Sequence, residues 1–263
     1  MKKFSITIFI LCFAVFTLFS QQNDKMVRIE GGTFIMGSPA DEEGRKGYEH
    51  YEVQRQATVS SFYISKYEVT QKEYLDLIGM NPSKAKGDDL PVNNVTWFDA
   101  LRYCNKLSER ESLTPVFIIT GAGANTIVNW DLNANGYRLP TDKEWEYACR
   151  AGTTTAYYTG NTITIDQANF NNKKPKPVGS YPPKPRGLYD MHGNVSEWGL
   201  DSLSDVLSKQ SIEALGAWNY TPMVVRGGSY SGRLYGSRSA SKYYMEANRK
   251  FAYIGFRVAR NAE

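Results

Sequence analysis

The sequence predicts one loop-rich α+β domain, and three observations lead to this class. Segments in which apolar and polar residues alternate, as in half-buried strands, lie around three short helix-starting motifs. Long turn-rich stretches separate these segments, and the chain contains 22 glycines and 18 tyrosines, a composition that suits turns better than a helical bundle. With 263 residues, 41% of them apolar, the chain is long enough for one substantial core, which we place at 26–263.

The first twenty residues have the composition of a signal peptide. Lys2 and Lys3 precede a nearly unbroken apolar run over 4–19, and polar residues begin at Gln21. The run is short for a stable membrane span, so cleavage near Ser20 is favoured, with retention as an uncleaved anchor as the alternative. Since no later segment is apolar enough to enter a membrane, we expect an exported protein of the periplasm, the cell surface or the medium.

Alternation of apolar and polar residues predicts the strands. The stretch IEGGTFIMG at 29–37 is expected to form a first strand, and ATVSSFYISKYEVT at 57–70 resumes the pattern. Residues 117–130 are expected to form a β-hairpin around GAGAN. The stretch 199–222 has weak periodicity and is interpreted as an insertion.

Three motifs predict the helices, because each has a threonine three residues before a carboxylate. In such a capping box each side chain binds a backbone amide at the start of a helix. The pairs are Thr70–Glu73, Thr96–Asp99 and Thr141–Glu144, and they predict helices near 71–79, 97–109 and 142–150. Aspartate is shorter than glutamate, so the second box is expected to be only approximate.

Two cysteines, Cys104 and Cys149, follow the signal segment. An exported protein with two cysteines can form one disulfide. Both residues, however, lie in helix-like segments among apolar neighbours, where cysteine behaves as a small buried hydrophobe. We therefore prefer two buried free thiols.

The last forty residues indicate a binding surface. From Arg226 to Glu263 there are eight Lys/Arg and two Asp/Glu, a net charge of +6, with no Cys and no His. The intervening residues are rich in Tyr, Ser and Gly, which combine large contact area with adaptability, as in antibody loops. The net charge of the whole chain, +4, predicts no general attraction to nucleic acid, so any basic patch is local to this segment.

Six segments, in order, carry a family resemblance. They are GGTFIMGS at 31–38, FYISKYEVTQKEY at 62–74, PVNNVTWFDALRYCNKLS at 91–108, NANGYRLPTDKEWEYACRAG at 133–152, GLYDMHGNVSEW at 187–198, and VRGGSY with IGFRVA between 225 and 259. Together they resemble the formylglycine-generating enzyme, or sulfatase-modifying factor, domain family. The resemblance implies a C-type-lectin-like α+β fold with short twisted antiparallel sheets, few helices and much ordered loop.

The resemblance also bears on catalysis. The family's oxidase, which converts a sulfatase cysteine to formylglycine, uses two cysteines that bind copper(I), a soft ion suited to thiolates. The matching positions fall near Gly232 and near Gly236 or Ser237, so no copper site is expected. Cys149 matches a family cysteine whose disulfide partner is replaced here by Val258. A non-catalytic protein is therefore favoured, and a divergent oxidase is the alternative.

An iron centre is also not expected. The iron-dependent sulfoxide synthases that resemble this domain require two histidines with a carboxylate and a further His-bearing domain. His50 and His192 lie in unrelated segments, and His192 is interpreted as a surface or turn residue.

The resemblance implies one calcium site at the DMHGNVSEW turn. Its ligands would be the side chains of Asp190 and Glu197 and the carbonyls of Gly193 and Val195, which are the hard oxygen donors that Ca²⁺ prefers. The alternative is that Glu197 caps a backbone amide and Asp190 begins an Asx turn. A second family site follows an Ala-Asn-Phe segment, present at 168–170, but the loop NNKKPKP after it does not support that site.

Several large residues are interpreted as structural. Arg138, Arg226 and Arg257 are expected to form ion pairs or brace loops, and Trp97, Trp145 and Trp198 are expected in the core. Position 196 departs from the family, which usually has Trp where this chain has Ser.

The candidate ligand-binding residues lie within 226–257. They are Tyr230, Ser231, Gly232, Arg233, Tyr235, Ser237, Tyr243, Tyr244, Phe251 and Tyr253, and they are expected to bind a protein or a glycan from a monomeric chain. One special case is the variable protein of a diversity-generating retroelement, whose C-terminal segment is rewritten at adenines. Ordinary drift of a surface segment is the alternative explanation of this composition.

Overall fold

A computed structural model describes residues 25–45, 51–121, 123, 126–203 and 221–262. The predicted signal peptide, the tip of the 117–130 hairpin and most of the predicted insertion lie outside these described residues. Within the described ranges, no helix has the length and apolar character needed to cross a membrane.

The three predicted helices are confirmed, each within one residue of its expected limits. They are α1 (Gln71–Ile78), α2 (Trp97–Arg110) and α3 (Asp142–Arg150), and each begins with a complete capping box. The box at Thr96 is complete rather than approximate. The Asp99 amide donates to the Thr96 hydroxyl at 3.0 Å, and the Thr96 amide donates to the Asp99 carboxylate at 3.0 Å. The shorter side chain of aspartate is therefore long enough to close the box.

Eleven short strands in the described residues form four small sheets. The strands are β1 (Met26–Ile29), β2 (Gly32–Met36), β3 (Arg55–Val59), β4 (Phe62–Ser65), β5 (Phe117–Thr120), β6 (Ile127–Trp130), β7 (Ser196–Ser202), β8 (Pro222–Arg226), β9 (Lys242–Glu246), β10 (Ile254–Gly255) and β11 (Ala259–Asn261). The sheets have the orders β10-β7-β8-β9, β1-β4-β11, β2-β3 and β5-β6. Strand neighbours are antiparallel except for β10 and β7, and β5 with β6 is the predicted hairpin.

Two predicted strands are each divided between two sheets. The stretch 29–37 belongs to β1 up to Ile29 and to β2 from Gly32, and the stretch 57–70 belongs to β3 and then β4. The two stretches pass close to each other at Gly31, where an added Cβ would lie 2.7 Å from the Val59 carbonyl oxygen. The alternating pattern predicted half-buried strands correctly, but it does not indicate where a chain passes from one sheet to another.

Two buried clusters form most of the core. The larger packs α1 and α2 against the four-stranded sheet and includes Trp97 and Trp198, while the second packs α3 against the three-stranded sheet and includes Trp145. The predicted burial of all three tryptophans is thus confirmed. Cys104 and Cys149 are both buried and unpaired, as the sequence predicted.

Candidate functional site

The terminal segment, residues 226–257, leaves the four-stranded sheet after β8 and returns to it in β9. After β8 ends at Arg226, the chain turns through Gly227 and Gly228, whose φ angles of 87° and 69° favour glycine. A loop leads to a 3₁₀ helix over Leu234–Ser237, and the chain then enters β9. Because β9 pairs with β8, both ends of the excursion are held by the same sheet.

Arg226 is buried completely and pairs with two carboxylates of α3. Its guanidinium contacts the Asp142 carboxylate and lies 3.0 Å from a Glu146 oxygen. Burial opposes ionisation of Asp142, but the charges of Arg226 and Lys242 outweigh it, so the pKa of Asp142 lies below its usual value. This arrangement confirms a structural role for Arg226 and fastens the beginning of the terminal segment to α3.

Arg257 fastens the other end. Its guanidinium donates to both oxygens of Glu197 at 2.7 and 2.8 Å, and both side chains are fully buried. Bidentate pairing of this kind fixes orientation as well as distance. Arg138 similarly binds both oxygens of Glu144 at 2.7 and 2.8 Å, so all three predicted structural arginines are confirmed in ion pairs.

Two further cations of the terminal segment are buried. Arg238 donates to both oxygens of Glu52 at 2.7 and 2.8 Å, and the ammonium of Lys242 lies 2.6 Å from an Asp142 oxygen. We call Arg226, Arg238, Lys242 and Arg257 the charged frame. Half of the eight cations between Arg226 and Glu263 are therefore inside the protein and paired with carboxylates from elsewhere in the chain, so they add no basic surface.

The remaining cations of the segment are more exposed, and two of them have surface partners. Arg249 lies 3.8 Å from Glu246, and Lys250 lies 3.3 Å from Asp99. Exposed pairs of this sort contribute little to stability. The surface charge of the terminal segment is thus small and partly compensated.

Aromatic residues occupy the surface between the frame positions. The rings of Phe251 and Tyr253 lie 5.4 Å apart, and the Tyr230 hydroxyl donates to the Ala252 carbonyl at 3.3 Å. We call Tyr230, Phe251 and Tyr253 the aromatic rim; all three are half-buried. Contacts within the protein hold these rings in place before any ligand binds, which reduces the entropy that binding must overcome.

The other predicted binding residues fall in several places. Ser231, Gly232 and Arg233 lie on the exposed loop next to Tyr230, whereas Tyr235 is 40% exposed and its hydroxyl binds the Glu43 carboxylate. Ser237 is fully buried, so a protein or glycan ligand cannot contact its side chain. Its inclusion among the surface residues does not agree with the structure, because the 3₁₀ helix turns its last residue inward.

Tyr243 and Tyr244 lie on opposite faces of β9, as neighbours on a strand must. Tyr243 packs against the larger core cluster, as Phe251 and Tyr253 do, whereas the ring of Tyr244 lies 5.0 Å from that of Tyr51 on the other face. One small ligand cannot contact both. The structure therefore places Tyr243 and Tyr244 on different faces of the sheet.

The predicted calcium ligands surround a buried turn. Asp190 has a φ angle of 57° and accepts a hydrogen bond from the Gly179 amide at 2.7 Å. Glu197 accepts from the Trp145 indole at 2.7 Å in addition to Arg257. Its hydrogen-bond donors among the described residues are therefore side chains, whereas the alternative interpretation expected Glu197 to cap a backbone amide.

A third carboxylate, Glu68, lies beside this turn and had no signal in the sequence beyond its place in a strand-like segment. It accepts hydrogen bonds from the Val195 amide at 2.9 Å and from Asn194 at 2.7 Å. Burial and then the charges of Asp190 and Glu197 raise the pKa of Glu68 well above its usual value.

The donor chemistry of this turn suits a hard cation, since such an ion would relieve the repulsion between buried carboxylates. Arg257 nevertheless already binds both oxygens of Glu197, so calcium would have to share that side chain with the guanidinium. In the described ranges, no three His, Cys, Asp or Glu side chains are grouped as a metal site. Calcium at this turn stays a prediction.

His192 lies in the predicted turn but is buried beneath the terminal segment, so its interpretation as a turn residue holds and that as a surface residue is wrong. Its Nδ1 lies 2.7 Å from the Ser237 carbonyl oxygen, and its Nε2 accepts from the Tyr158 amide at 3.2 Å. Burial, and then the charge of Lys184, hold the pKa of His192 well below its usual value. The turn folds under the 3₁₀ helix, so the imidazole is a neutral link between the turn and the terminal segment.

Comparison with known proteins identifies a family and several similar proteins. The family model of the sulfatase-modifying factor enzyme 1-like domain matches residues 13–262. The chaperone protein LppX of Paenibacillus barcinonensis is 36% identical over 209 residues, which cover 67% of this chain and 71% of that protein. The inactive C-alpha-formylglycine-generating enzyme 2 of Mus musculus is 29% identical over 220 residues, covering 67% and 68%. Against the serine/threonine-protein kinase pkn1 of Chlamydia caviae, the identity is 30% over 91% of this chain, but the chain spans 38% of the kinase.

Among solved structures, Treponema denticola variable protein 1 superposes with a TM-score of 0.76 at 25% identity. The superposition covers 90% of this chain and 95% of that protein. Together with the match to the family model, it confirms the predicted α+β, C-type-lectin-like fold.

Proposed function

The chain belongs to the sulfatase-modifying factor enzyme 1-like family, and on that premise we propose that it binds a ligand and does not act as an oxidase. The terminal segment presents the aromatic rim and the adjoining Ser, Gly and Arg residues to a protein or a glycan. Relatives named as a chaperone, an inactive enzyme and a variable protein support a family in which this fold serves purposes besides catalysis.

One observation carries the proposal, namely the division of labour within the terminal segment. Its frame cations are buried in ion pairs, while rigidly held aromatic and small residues lie at the surface between them. The positions that the resemblance matches to the oxidase's copper thiolates fall near Gly232 and near Gly236 or Ser237, and none of these residues is a cysteine. An added Cβ at Gly236 would meet no atom within 4 Å, so this position is open.

A sulfatase peptide separates the two candidate functions. The purified protein is incubated with a peptide that contains the sulfatase cysteine motif, together with copper and oxygen, and the peptide is analysed by mass spectrometry. We expect an unchanged peptide, whereas an authentic formylglycine-generating enzyme converts it in parallel. Formylglycine formed at an appreciable rate would overturn the proposal in favour of the divergent oxidase.

Binding is tested directly with arrays of glycans and secreted proteins. The Tyr230→Ser and Tyr253→Ser variants are compared with the wild type and with Met80→Ser, a matched control at a residue that is 61% exposed outside the terminal segment. We expect the tyrosine variants to weaken binding by at least about tenfold, since aromatic anchors dominate interfaces. A ligand that binds all four proteins equally would place the binding surface elsewhere.

Diversification of the terminal segment is a finer hypothesis, and the likeness to a variable protein supports it. Ser231, Arg233 and Tyr235 are exposed, and they fit substitution without loss of the fold because none of their side chains takes part in the buried frame. The flanking DNA tests this hypothesis. A near-copy of codons 226–257 that differs at adenines and lies beside a reverse transcriptase is the expected finding, and its absence favours ordinary drift.

Calcium at the 190–197 turn is a further part of the proposal. Excess chelator is expected to lower the melting temperature of the wild type but not that of Asp190→Asn, because a bound ion stabilises the folded state. An unchanged melting temperature of the wild type in chelator would remove Asp190 and Glu197 as ligands.

Export is proposed from the N-terminal sequence alone. Sequencing of the N-terminus of protein purified from the expressing cell is expected to begin near residue 21. Recovery of an intact N-terminus in the membrane fraction would favour the uncleaved anchor.

A further inference from the structure

Two reactive side chains meet in the interior beneath the terminal segment. The sulfur of Cys149, on α3, lies 3.8 Å from the ammonium nitrogen of Lys184, and the two residues are 0% and 5% exposed. Among the described residues Lys184 has no carboxylate in ion-pair distance; its ammonium contacts this sulfur and lies 5.0 Å above the ring of Tyr158. A buried lysine without a carboxylate is unusual, because burial penalises its charge.

The ring nitrogens of His192 have other partners, and the remaining polar groups near the sulfur are a hydroxyl and the Met191 carbonyl. Both ring nitrogens of His192 lie 3.9 Å from the Cys149 sulfur, but each already has a shorter hydrogen bond, to the Ser237 carbonyl and the Tyr158 amide. The Ser239 hydroxyl lies 3.8 Å from the same sulfur. The amine of Lys184 is thus the nucleophile and base that faces the thiol.

Burial lowers the pKa of Lys184 to about 8, so the neutral amine is present in a substantial fraction near that pH. A neutral amine has a free electron pair with which to attack an oxidised sulfur. In contrast, an ammonium ion in an ion pair, such as that of Lys242, has none.

We propose that Cys149 and Lys184 form a reversible covalent cross-link when the protein meets a peroxide. In the first step hydrogen peroxide transfers one oxygen to the sulfur, which is oxidised to sulfenic acid while the peroxide is reduced to water. In the second step the Lys184 nitrogen attacks the sulfur, an S–N bond forms, and the S–O bond breaks. The hydroxide that leaves takes a proton from the nitrogen and departs as water. A dithiol such as dithiothreitol reverses the link in two steps: one of its thiols attacks the sulfur, which breaks the S–N bond and releases the protonated amine, and its second thiol then displaces Cys149 as the free thiol and leaves the reagent as a disulfide.

Tyr158 controls access to this pair. Its ring lies over the Lys184 ammonium and stacks on His192 with 5.6 Å between centroids, and the residue is itself only half-buried. A small uncharged peroxide reaches the sulfur when this ring moves aside, and larger reagents do not. The cross-link joins α3 to the loop that carries Lys184, close to Ser237 and Ser239 of the terminal segment.

The folded protein is treated with hydrogen peroxide without added thiol, and its mass and its peptides are then determined. We expect a mass about 2 Da lower, with a peptide that joins Cys149 to Lys184 and separates again on addition of dithiothreitol. Cys104 is an internal control in the same molecule. It is equally buried in α2, and no lysine amine of the described residues contacts it. It is expected to stay unlinked.

The Lys184→Met and Lys184→Gln variants are expected to lose the linked peptide, and their circular dichroism reports whether they fold. Tyr158→Ala is expected to form the link several times faster than the wild type. The proposal is overturned if wild-type Cys149 stays a free thiol, or if it gains about 32 Da as sulfinic acid without any linked peptide. Because these outcomes are read on the wild type, they do not depend on the folding of a variant.

Discussion

The charged frame and the aromatic rim belong to the same stretch of chain, yet they differ in burial, in partners and in the consequence of substitution. Each frame cation is buried against carboxylates from distant parts of the sequence; Arg226 and Asp142, for example, are separated by 84 positions. The rings of the aromatic rim contact one another and, for Phe251 and Tyr253, the larger core cluster, and each ring keeps part of its surface exposed. The comparison teaches that buried ion pairs hold the terminal segment in place while the aromatic rim stays at the surface.

The largest effect is expected from removal of a frame cation. Arg226→Met removes the guanidinium that Asp142 and Glu146 share and that also donates to the Ser239 and Ala240 carbonyls. Lys242 and Arg150 stay beside the two carboxylates, so the expected cost is at the lower end for a broken buried network, about 3 kcal/mol of unfolding free energy. Urea denaturation followed by circular dichroism measures the change. The matched control, Arg249→Met, breaks an exposed pair and is expected to cost less than about 1 kcal/mol. Equal losses in the two variants would break the distinction between frame and surface.

Lys184 sharpens the comparison, because it is a buried cation without a carboxylate partner among the described residues. Its folded pKa of about 8 lies below its ordinary value of 10.5, so between these values the unfolded chain holds a proton that the folded protein releases. The free energy of unfolding should therefore rise with pH in this window. Below pH 8 the destabilisation caused by burying the charged ammonium is constant. The charged or titratable groups facing Lys184 are Cys149, Tyr158, Asp190, His192, Glu197 and Arg257.

The measurement is the pH dependence of unfolding between about pH 8 and 9.5, below the ionisation of ordinary tyrosines. The wild type is expected to gain about 1 kcal/mol per pH unit relative to Lys184→Met. A variant with the same slope as the wild type would show that another group is responsible.

A smaller effect is expected at the helix that carries the acidic partners of Arg226. Thr141→Ala removes the hydroxyl that accepts from the Glu144 amide at 3.3 Å, and loss of such a cap costs about 1 kcal/mol. Thermal unfolding measures it, with the exposed strand residue Thr33 replaced by alanine as the control. If Thr33→Ala lowers the melting temperature as much as Thr141→Ala does, the cap at Thr141 has no specific stabilising effect on α3.

The smallest effect on stability is expected at the surface itself. Tyr235→Ser removes an exposed ring whose hydroxyl binds Glu43, and such substitutions usually change stability by less than about 0.5 kcal/mol. Differential scanning calorimetry checks this value. A loss comparable to that of Arg226→Met would assign Tyr235 to the frame.

The sequence alone determined the features whose physics is local. The three helix starts follow from a threonine and a carboxylate three residues apart, and the hairpin over 117–130 follows from alternation around a glycine-rich turn. The six segments in order were sufficient for the family and its fold, and the buried arginines were expected to pair. These predictions succeeded because each depends on neighbours in the chain or on a motif that carries its own pattern.

Only the tertiary structure decided which cations would be inside and which residues would share a surface. The composition of the terminal segment suggested a basic face, but Arg238 and Lys242 meet Glu52 and Asp142, which lie more than 90 positions away in sequence. Ser237 and His192 are buried because the 3₁₀ helix and the turn fold against each other. The approach of distant segments depends on the packing of the whole core, and no local period or spacing in the sequence encodes it.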